Sequence, residues 1–335
     1  MNGEVERNYF FRHHFARPRF TDFRADLLLM LRVLENQPLS EYTTFGIGGR
    51  AKYLVKVSNP TELLAAVALA KERRWRYQLI AGGSNVVFTD QPFNGLVIRY
   101  FAPRGPVIIR NRTVLVEAGV PLGNLIKNAI KFGLAGLETL SGIPGTVGGA
   151  VIGNAGAYGQ TISDHLTRVE VWDGKKILWF NKKQGQFDYR ESVFKQKNWL
   201  VLRAEFQLQI GDRKQLLTKA RGIIKLRSKK YKPSLRCPGS FFKNILVKKI
   251  SAKSLRLIDQ AKIIDGKIPA GYLLETVGAK GMKLGDLRVA DFHGNLIINA
   301  GQATYRDVRR LAARLKNRVY KKFGIKLTEE VRYLD

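Results

Sequence analysis

Residues 142–159 read GIPGTVGGAVIGNAGAYG, with seven glycines, one proline and no charged side chain. Glycine reaches positive φ without strain and lets a backbone come close to whatever it faces. So dense a run leaves two structural readings: a tight-turn corner of a β-rich fold, or a cradle whose clustered amides meet an anion. The spacing excludes the phosphate loop, because no Gly-Lys-Ser/Thr closes the run. It also excludes the dinucleotide fingerprint of three spaced glycines. The nearest other match, FGIGGRAKY at 45–53, lacks both patterns. A second glycine turn, AGGSN at 81–85, lies between two strand-like runs and brings Ser84 and Asn85 as further donors. Two uncharged nests of this kind suit a pyrophosphate bridge held between apolar walls.

The chain has 335 residues and is 45% apolar, enough for two domains with cores of their own. A single cysteine, Cys237, allows no internal disulfide and fits a reducing compartment. Histidines 13, 14, 165 and 293 show no metal spacing, so no metal site is expected. The apolar run LLLML at 27–31 is too short to cross a bilayer. It reads instead as part of an amphipathic helix from Asp22 to Glu35, after a poorly ordered extension over 1–20. The net charge is +31 and is clustered. Arg221 to Arg256 holds twelve Lys/Arg and no acid, and Gln302 to Lys326 holds nine with Asp307 as the one acid. Such faces steer anions, either a phosphate-bearing ligand or nucleic acid. No zinc-finger spacing, RNP-like motif or basic zipper accompanies them.

The patterning predicts strands at 51–59, 96–100, 106–110 and 113–119, and a strand–turn–strand over 77–88. It predicts helices over 60–74 and 121–133, a hairpin at 168–180 around Asp173-Gly174, a long strand at 199–211 and a basic helix at 212–230. Beyond Pro233 it predicts a short helix at 271–278, a strand at 294–301, a long amphipathic helix at 304–324 and a last strand at 326–334 that returns to the first domain. The fold class is therefore α+β. The expected division is an extension over 1–37, a first domain over 38–230, a second over 231–326 and a C-terminal strand over 327–335.

Seven segments in one order carry a resemblance. They are TTFGIGGRA (43–51), GGSN (82–85), GLETLSGIPGTVGGAVIGNAGAYG (136–159), YRESVFK (189–195), GSFFKN (239–244), PAGYLLETVGAKG (269–281) and LTEEVRY (327–333). Together they resemble the MurB family of FAD-dependent UDP-N-acetylenolpyruvoylglucosamine reductases, over roughly residues 38–334. The resemblance implies an FAD-binding domain of the vanillyl-alcohol-oxidase (PCMH) type, a smaller α+β substrate domain, NADPH as reductant, and cytoplasmic peptidoglycan precursor synthesis. It implies hydride transfer from the flavin to the enolpyruvyl double bond of the UDP-sugar, with Ser240 as proton donor. Arg190 and Glu330 match the family's other catalytic positions. FAD contacts are expected from Gly82, Gly83, Ser84 and Asn85, and from Ile143, Pro144, Gly145, Thr146, Gly149, Ala150, Asn154 and Gly156. Substrate contacts are expected from Lys230, Asn244, Lys280, His293 and Arg332.

That chemistry places negative charge on the substrate α-carbon and its carboxylate, so cations and a proton donor are what it needs. Arg190 offers a planar fork for a carboxylate. Glu330 has to be protonated or hydrogen-bonded to sit beside an anion. Read without the resemblance, Ser240 is an ordinary turn serine, Arg190 a strand-edge ion-pair residue, Glu330 a solvated strand residue and His293 a surface turn residue. Cys237 is read as a bystander. The chain departs from the family pattern at Ala81 and Ile245, where glycine and proline are commoner. It also departs in its charge and in the short spacing before GSFF, which leaves no room for an extra tyrosine-bearing loop. Two other functions stay open: another FAD-dependent oxidoreductase of the same fold, and a non-catalytic basic protein that binds nucleic acid.

Overall fold

The computed structural model describes residues 31–232 and 234–335. The extension over 1–20 and the predicted helix up to residue 30 lie outside them. The end of that helix does not form. Leu34–Pro38 is a strand, antiparallel to Arg50–Val57, with Leu34 opposite Leu54. Pairing along a sheet edge overrides the helical spacing there.

The first domain is built on two sheets. One has four strands in the order Leu34–Pro38, Arg50–Val57, Phe93–Tyr100, Arg76–Ile80, the last three parallel. The helix Pro60–Glu72 makes the crossover between the second and fourth of these. Asn59 caps it, accepting from the Glu62 amide at 2.9 Å, with Pro60 at the first turn. The other sheet is antiparallel in the order Ile177–Asn181, Leu166–Trp172, Leu200–Gln207, Thr113–Glu117, Val107–Arg110. The helix Leu122–Lys131 buries Leu122, Leu125, Ile126, Ala129 and Ile130 against this core and stops at Gly133, φ +66°.

The second domain has a small antiparallel sheet, Lys283–Leu284, Leu287–Val289 and Ile297–Asn299, covered by the helix Tyr305–Phe323. Val308, Leu311, Leu315 and Val319 form its buried stripe. Thr304 and Asp307 close a capping box at its start, and Gly324 ends it at φ +66°. Asp90 of the first domain accepts from the Tyr305 amide at 2.7 Å. The core here also takes in Phe45, Ile47 and Val87 of the first domain, so apolar packing runs across the junction.

The last strand is shorter than predicted, Arg332–Leu334, and it does return to the first domain, parallel to Val86–Phe88. Residues 327–331 instead turn toward the second domain, where Glu329 bridges to Phe242.

One buried acid sets a pH dependence. Glu117 is 4% exposed, and its Oε2 has no hydrogen-bond partner among the described residues. Burial, more than Arg203 can offset, pushes its carboxyl up from 4.5 to about 7. The folded state thus holds a proton that the unfolded state releases, so this residue's contribution to stability falls as pH rises from 4.5 to about 7. Glu117→Gln is expected to match wild type in urea denaturation near pH 5 and to become progressively the more stable of the two by pH 8. A constant gap across that range contradicts this.

Candidate active site

The two glycine turns meet. A Cβ on Gly82 would lie 3.3 Å from the Gly145 Cα, and one on Gly145, φ +108°, would lie 3.1 Å from Ser84 Oγ. Gly83 is held at φ +64° with its back to Tyr42, where a Cβ would collide with the Tyr42 carbonyl. Its own carbonyl accepts from the Thr44 amide at 3.0 Å. The Gly82, Gly83 and Ser84 amides donate to no protein acceptor among the described residues.

The longer glycine run is not a loop throughout. Val147–Ile152 is a short helix capped by Thr146, whose Oγ1 accepts from the Gly149 amide at 3.3 Å. The Ala150 amide donates to the Thr146 carbonyl, and those of Val147 and Gly148 donate to Val120 and Ala118. The amides of 147–150 are therefore spent on protein acceptors, whereas those of Gly145 and Thr146 donate to none among the described residues. What remains open is space: a Cβ on Gly149 would meet nothing closer than Thr146 Oγ1, at 3.7 Å. Ile143 is half-buried and Pro144 exposed beside it.

The run ends in contact with the catalytic candidates. Asn154 is 5% exposed at φ +41°, donates to the Asp188 carbonyl at 2.9 Å, and leaves its Oδ1 without a partner among the described residues. Arg190, also left-handed at φ +60°, donates from Nε to Glu330 Oε1 at 2.6 Å and to the carbonyls of Gly156 at 3.0 Å and Asn154 at 3.5 Å. Two non-glycine residues in this region at one place mark a site where packing enforces costly backbone. Arg190 thus spends three of its five N–H donors on the protein, and a hydrogen on each Nη nitrogen remains for an anion.

Glu330 is the junction. Its amide donates to the Phe241 carbonyl at 2.8 Å, which brings the strand beside Ser240 against it. Its carbonyl accepts from Asn85 Nδ2 at 3.0 Å, and the Asn85 carbonyl accepts from the Arg332 amide at 3.0 Å. One hydrogen of the Asn85 side-chain amide thus holds the segment that carries Glu330, and a second remains. Glu329 faces the other way and pairs with Lys316 at 3.2 Å.

Ser240 Oγ lies 2.8 Å from the Tyr231 hydroxyl. Arg227, one turn earlier, stands over the Tyr231 ring at 5.2 Å, with its Cδ 3.3 Å from where a Gly142 Cβ would be. So the glycine run, uncharged itself, is flanked by Arg190 and Arg227. Sequence reasoning missed Arg227 and Tyr231. The basic run at 221–256 contained both, but nothing in it singles out the two side chains that turn inward.

The expected substrate residues divide into two groups. Asn244 and Arg332 stand near the catalytic candidates. The Asn244 Oδ1 accepts from the Ala270 amide at 3.1 Å, at the start of the helix Ala270–Thr276, and its amide donates to the Tyr189 hydroxyl at 3.1 Å. Burial lowers the Arg332 pKa, and the nearby Glu191 opposes that. Glu191 also binds Lys243 at 2.6 Å and Lys195 at 2.9 Å. Lys280, His293 and Lys230 form the second group around Glu275. Lys280 binds Glu275 at 2.9 Å, and His293 Nδ1 lies 3.7 Å from it. His293 does sit in a turn but is not at the surface: its side chain is 18% exposed, and burial and then Lys230 lower its pKa. Burial pushes the Cys237 thiol up, which suits a bystander. Ile245 takes a strand position opposite Ile268. A cleft of about 570 Å³ beside the site is lined by Tyr189, Glu191, Lys243, Asn244, Lys249 and Lys326 among others.

These residues fit FAD on three counts: free amides at 82–84, the open space over Gly149, and the unpartnered buried Asn154 Oδ1.

Comparison with known proteins gives the same answer. Residues 51–177 match the FAD binding domain, and residues 231–334 match the C-terminal domain of UDP-N-acetylenolpyruvoylglucosamine reductase. The chain is 42% identical to the UDP-N-acetylenolpyruvoylglucosamine reductase of Solibacter usitatus, over 91% of this chain and 97% of that one. It is 36% identical to that of Carboxydothermus hydrogenoformans, over 90% and 94%. It is also similar to the crystal structure of the Thermus caldophilus enzyme, MurB, with a TM-score of 0.72, 30% identity, and coverage of 91% of this chain and all of that one. The α+β architecture, the flavin domain and these relatives agree, and the chain belongs to the family of FAD-dependent UDP-N-acetylenolpyruvoylglucosamine reductases.

Proposed function

We propose that this chain uses NADPH to reduce UDP-N-acetylglucosamine enolpyruvate to UDP-N-acetylmuramate, a peptidoglycan precursor, with Ser240, Arg190 and Glu330 as its catalytic residues. The observation that carries the assignment is the junction at Glu330, bonded at once to Arg190, to the strand beside Ser240 and to the turn at Asn85.

FAD, when bound, supplies the hydride chemistry between NADPH and the enolpyruvyl group. The amides of Gly82, Gly83 and Ser84 would hold an anionic group of the cofactor. Gly145, Gly149 and Ala150 would leave it room, with Ile143 and Pro144 as apolar wall, and Asn154 and Gly156 would bound the same space. Thr146 and Asn85 serve indirectly, one by capping the short helix and the other by holding Glu330.

Ser240 gives its proton to the substrate α-carbon as charge builds there. Arg190 works through Glu330: it holds the carboxyl in one orientation and offsets its charge, so that Glu330 can stand beside an anion. Arg332, with a single acid near it, faces the carboxylate or phosphates. Lys243 and Asn244 line the cleft that takes the UDP-sugar, and Lys230, Lys280 and the neutral His293 border the approach. Two phosphate-bearing ligands give the +31 charge a use through steering. Among the described residues no helix is long and apolar enough to cross a membrane. The proposed location is the cytoplasm, where reduced pyridine nucleotide and UDP-sugar precursors meet.

Two outcomes are expected. Ser240→Ala keeps flavin bleaching by NADPH but loses about 10²-fold or more in the return of colour with the UDP-sugar, the range of general-acid effects. Equal rates in both half-reactions remove Ser240 from its role. Gly149→Leu fills the open space over the short helix; the protein melts as one cooperative unit but purifies without yellow colour. A yellow Gly149→Leu protein places the cofactor elsewhere.

A further inference from the structure

We infer that Tyr231 is the residue through which Ser240 works, a proton relay behind the donor. The inference rests on the reading of Ser240 as the proton donor. A serine hydroxyl is a far weaker acid than a phenol, whose pKa is about 10. Alone it cannot keep up with an α-carbon that needs a proton at neutral pH. The Tyr231 hydroxyl lies 2.8 Å from Ser240 Oγ, a full hydrogen bond. The two reach each other from different elements. Tyr231 caps the C-terminus of the helix Arg213–Lys230, its amide bonded to the Arg227 carbonyl at 2.8 Å, whereas Ser240 sits on the strand-like segment that bridges to Leu296.

The surroundings suit transient charge on the phenol. Arg227 stands over the ring, its guanidinium carbon 5.2 Å from the centroid, with its own Nε buried and without a hydrogen-bond partner among the described residues. The ring packs with Leu235 against Cys237, Ala290, Leu296 and Ile298, a wall whose one titratable member is Cys237. The charged and titratable groups that act on Arg227 are Tyr231, Tyr158 and Arg190. No acid is among them.

The step balances. The electron pair at the α-carbon takes the proton of Ser240 Oγ, forming the C–H bond and breaking O–H. Ser240 Oγ takes the Tyr231 proton in the same motion. The resulting phenolate lies against Arg227 and regains its proton from water after product leaves. Tyr231 touches neither substrate nor cofactor; it acts through Ser240.

The test compares Tyr231→Phe, Ser240→Ala and wild type, and adds proteins in which Tyr231 is replaced by fluorotyrosines of stepwise lower phenol pKa. Each is followed in single turnovers by the return of flavin colour with the UDP-sugar, over a range of pH. The melting temperature and the affinity of the oxidised protein for the UDP-sugar are read alongside. The expected result is a loss of about 10²-fold in Tyr231→Phe, with bleaching by NADPH, affinity and melting temperature unchanged. The alkaline limb of the rate profile is expected to move to lower pH with each more acidic phenol. A Tyr231→Phe protein as fast as wild type, beside an inactive Ser240→Ala, overturns the relay and leaves Ser240 as donor. A slow Tyr231→Phe with a profile indifferent to fluorination also overturns it, reducing Tyr231 to a prop for Ser240. A fast Ser240→Ala overturns the reading beneath it.

Discussion

The active site is held together by a single seam, the short parallel pairing of Arg332–Leu334 with Val86–Phe88. The chain's last residues thereby return across the first domain, and they arrive with Glu330 already placed. From the seam, Asn85 bonds to the Glu330 carbonyl, the Glu330 amide bonds to Phe241, and its carboxylate bonds to Arg190. Four segments far apart in sequence become one local network. The Glu330–Phe241 link joins two backbone groups and the Asn85 link ends on a backbone carbonyl; such groups are obligatory partners and position more rigidly than side chains do. An apolar core that continues across the junction through Phe45, Ile47 and Val87 keeps the two domains from sliding under this network.

The same seam sets the division of labour. Charge is kept off the glycine turns and placed around them. Arg190 is tied down by three contacts, Lys243 and Lys195 share Glu191, and Lys280 is paired with Glu275. Cations already paired in this way are positioned at little further entropic cost when an anion arrives. Arg332 and Arg227 differ, because both are half-buried and neither has a carboxylate bonded to it among the described residues.

Much of this was legible in the sequence because it rests on local rules. Pro60 starts a helix, Gly133 and Gly324 end helices at positive φ, and Asp173-Gly174 turns a hairpin, each as the patterning predicts. The order of the motifs was enough to name the family and to pick out the residues that converge on Glu330. What was not legible depends on distant pairing. Leu34 and Glu35 fit a helical period but are taken by a strand partner twenty residues later. The amides of Val147 and Gly148 looked free because their acceptors, on Val120 and Ala118, lie on another segment. That Arg190 also bonds to three protein acceptors was not legible, because they come from residues 154, 156 and 330. Tyr231 and Arg227 could not be told from a solvated basic helix until the helix end was placed against Ser240.

The measurement that tests the central claim most directly is the visible spectrum of the purified protein under anaerobic conditions, first with NADPH and then with the UDP-sugar enolpyruvyl ether. The account predicts a yellow protein that bleaches with NADPH and regains its colour on addition of that substrate. A protein that bleaches and stays colourless when the substrate is added contradicts it.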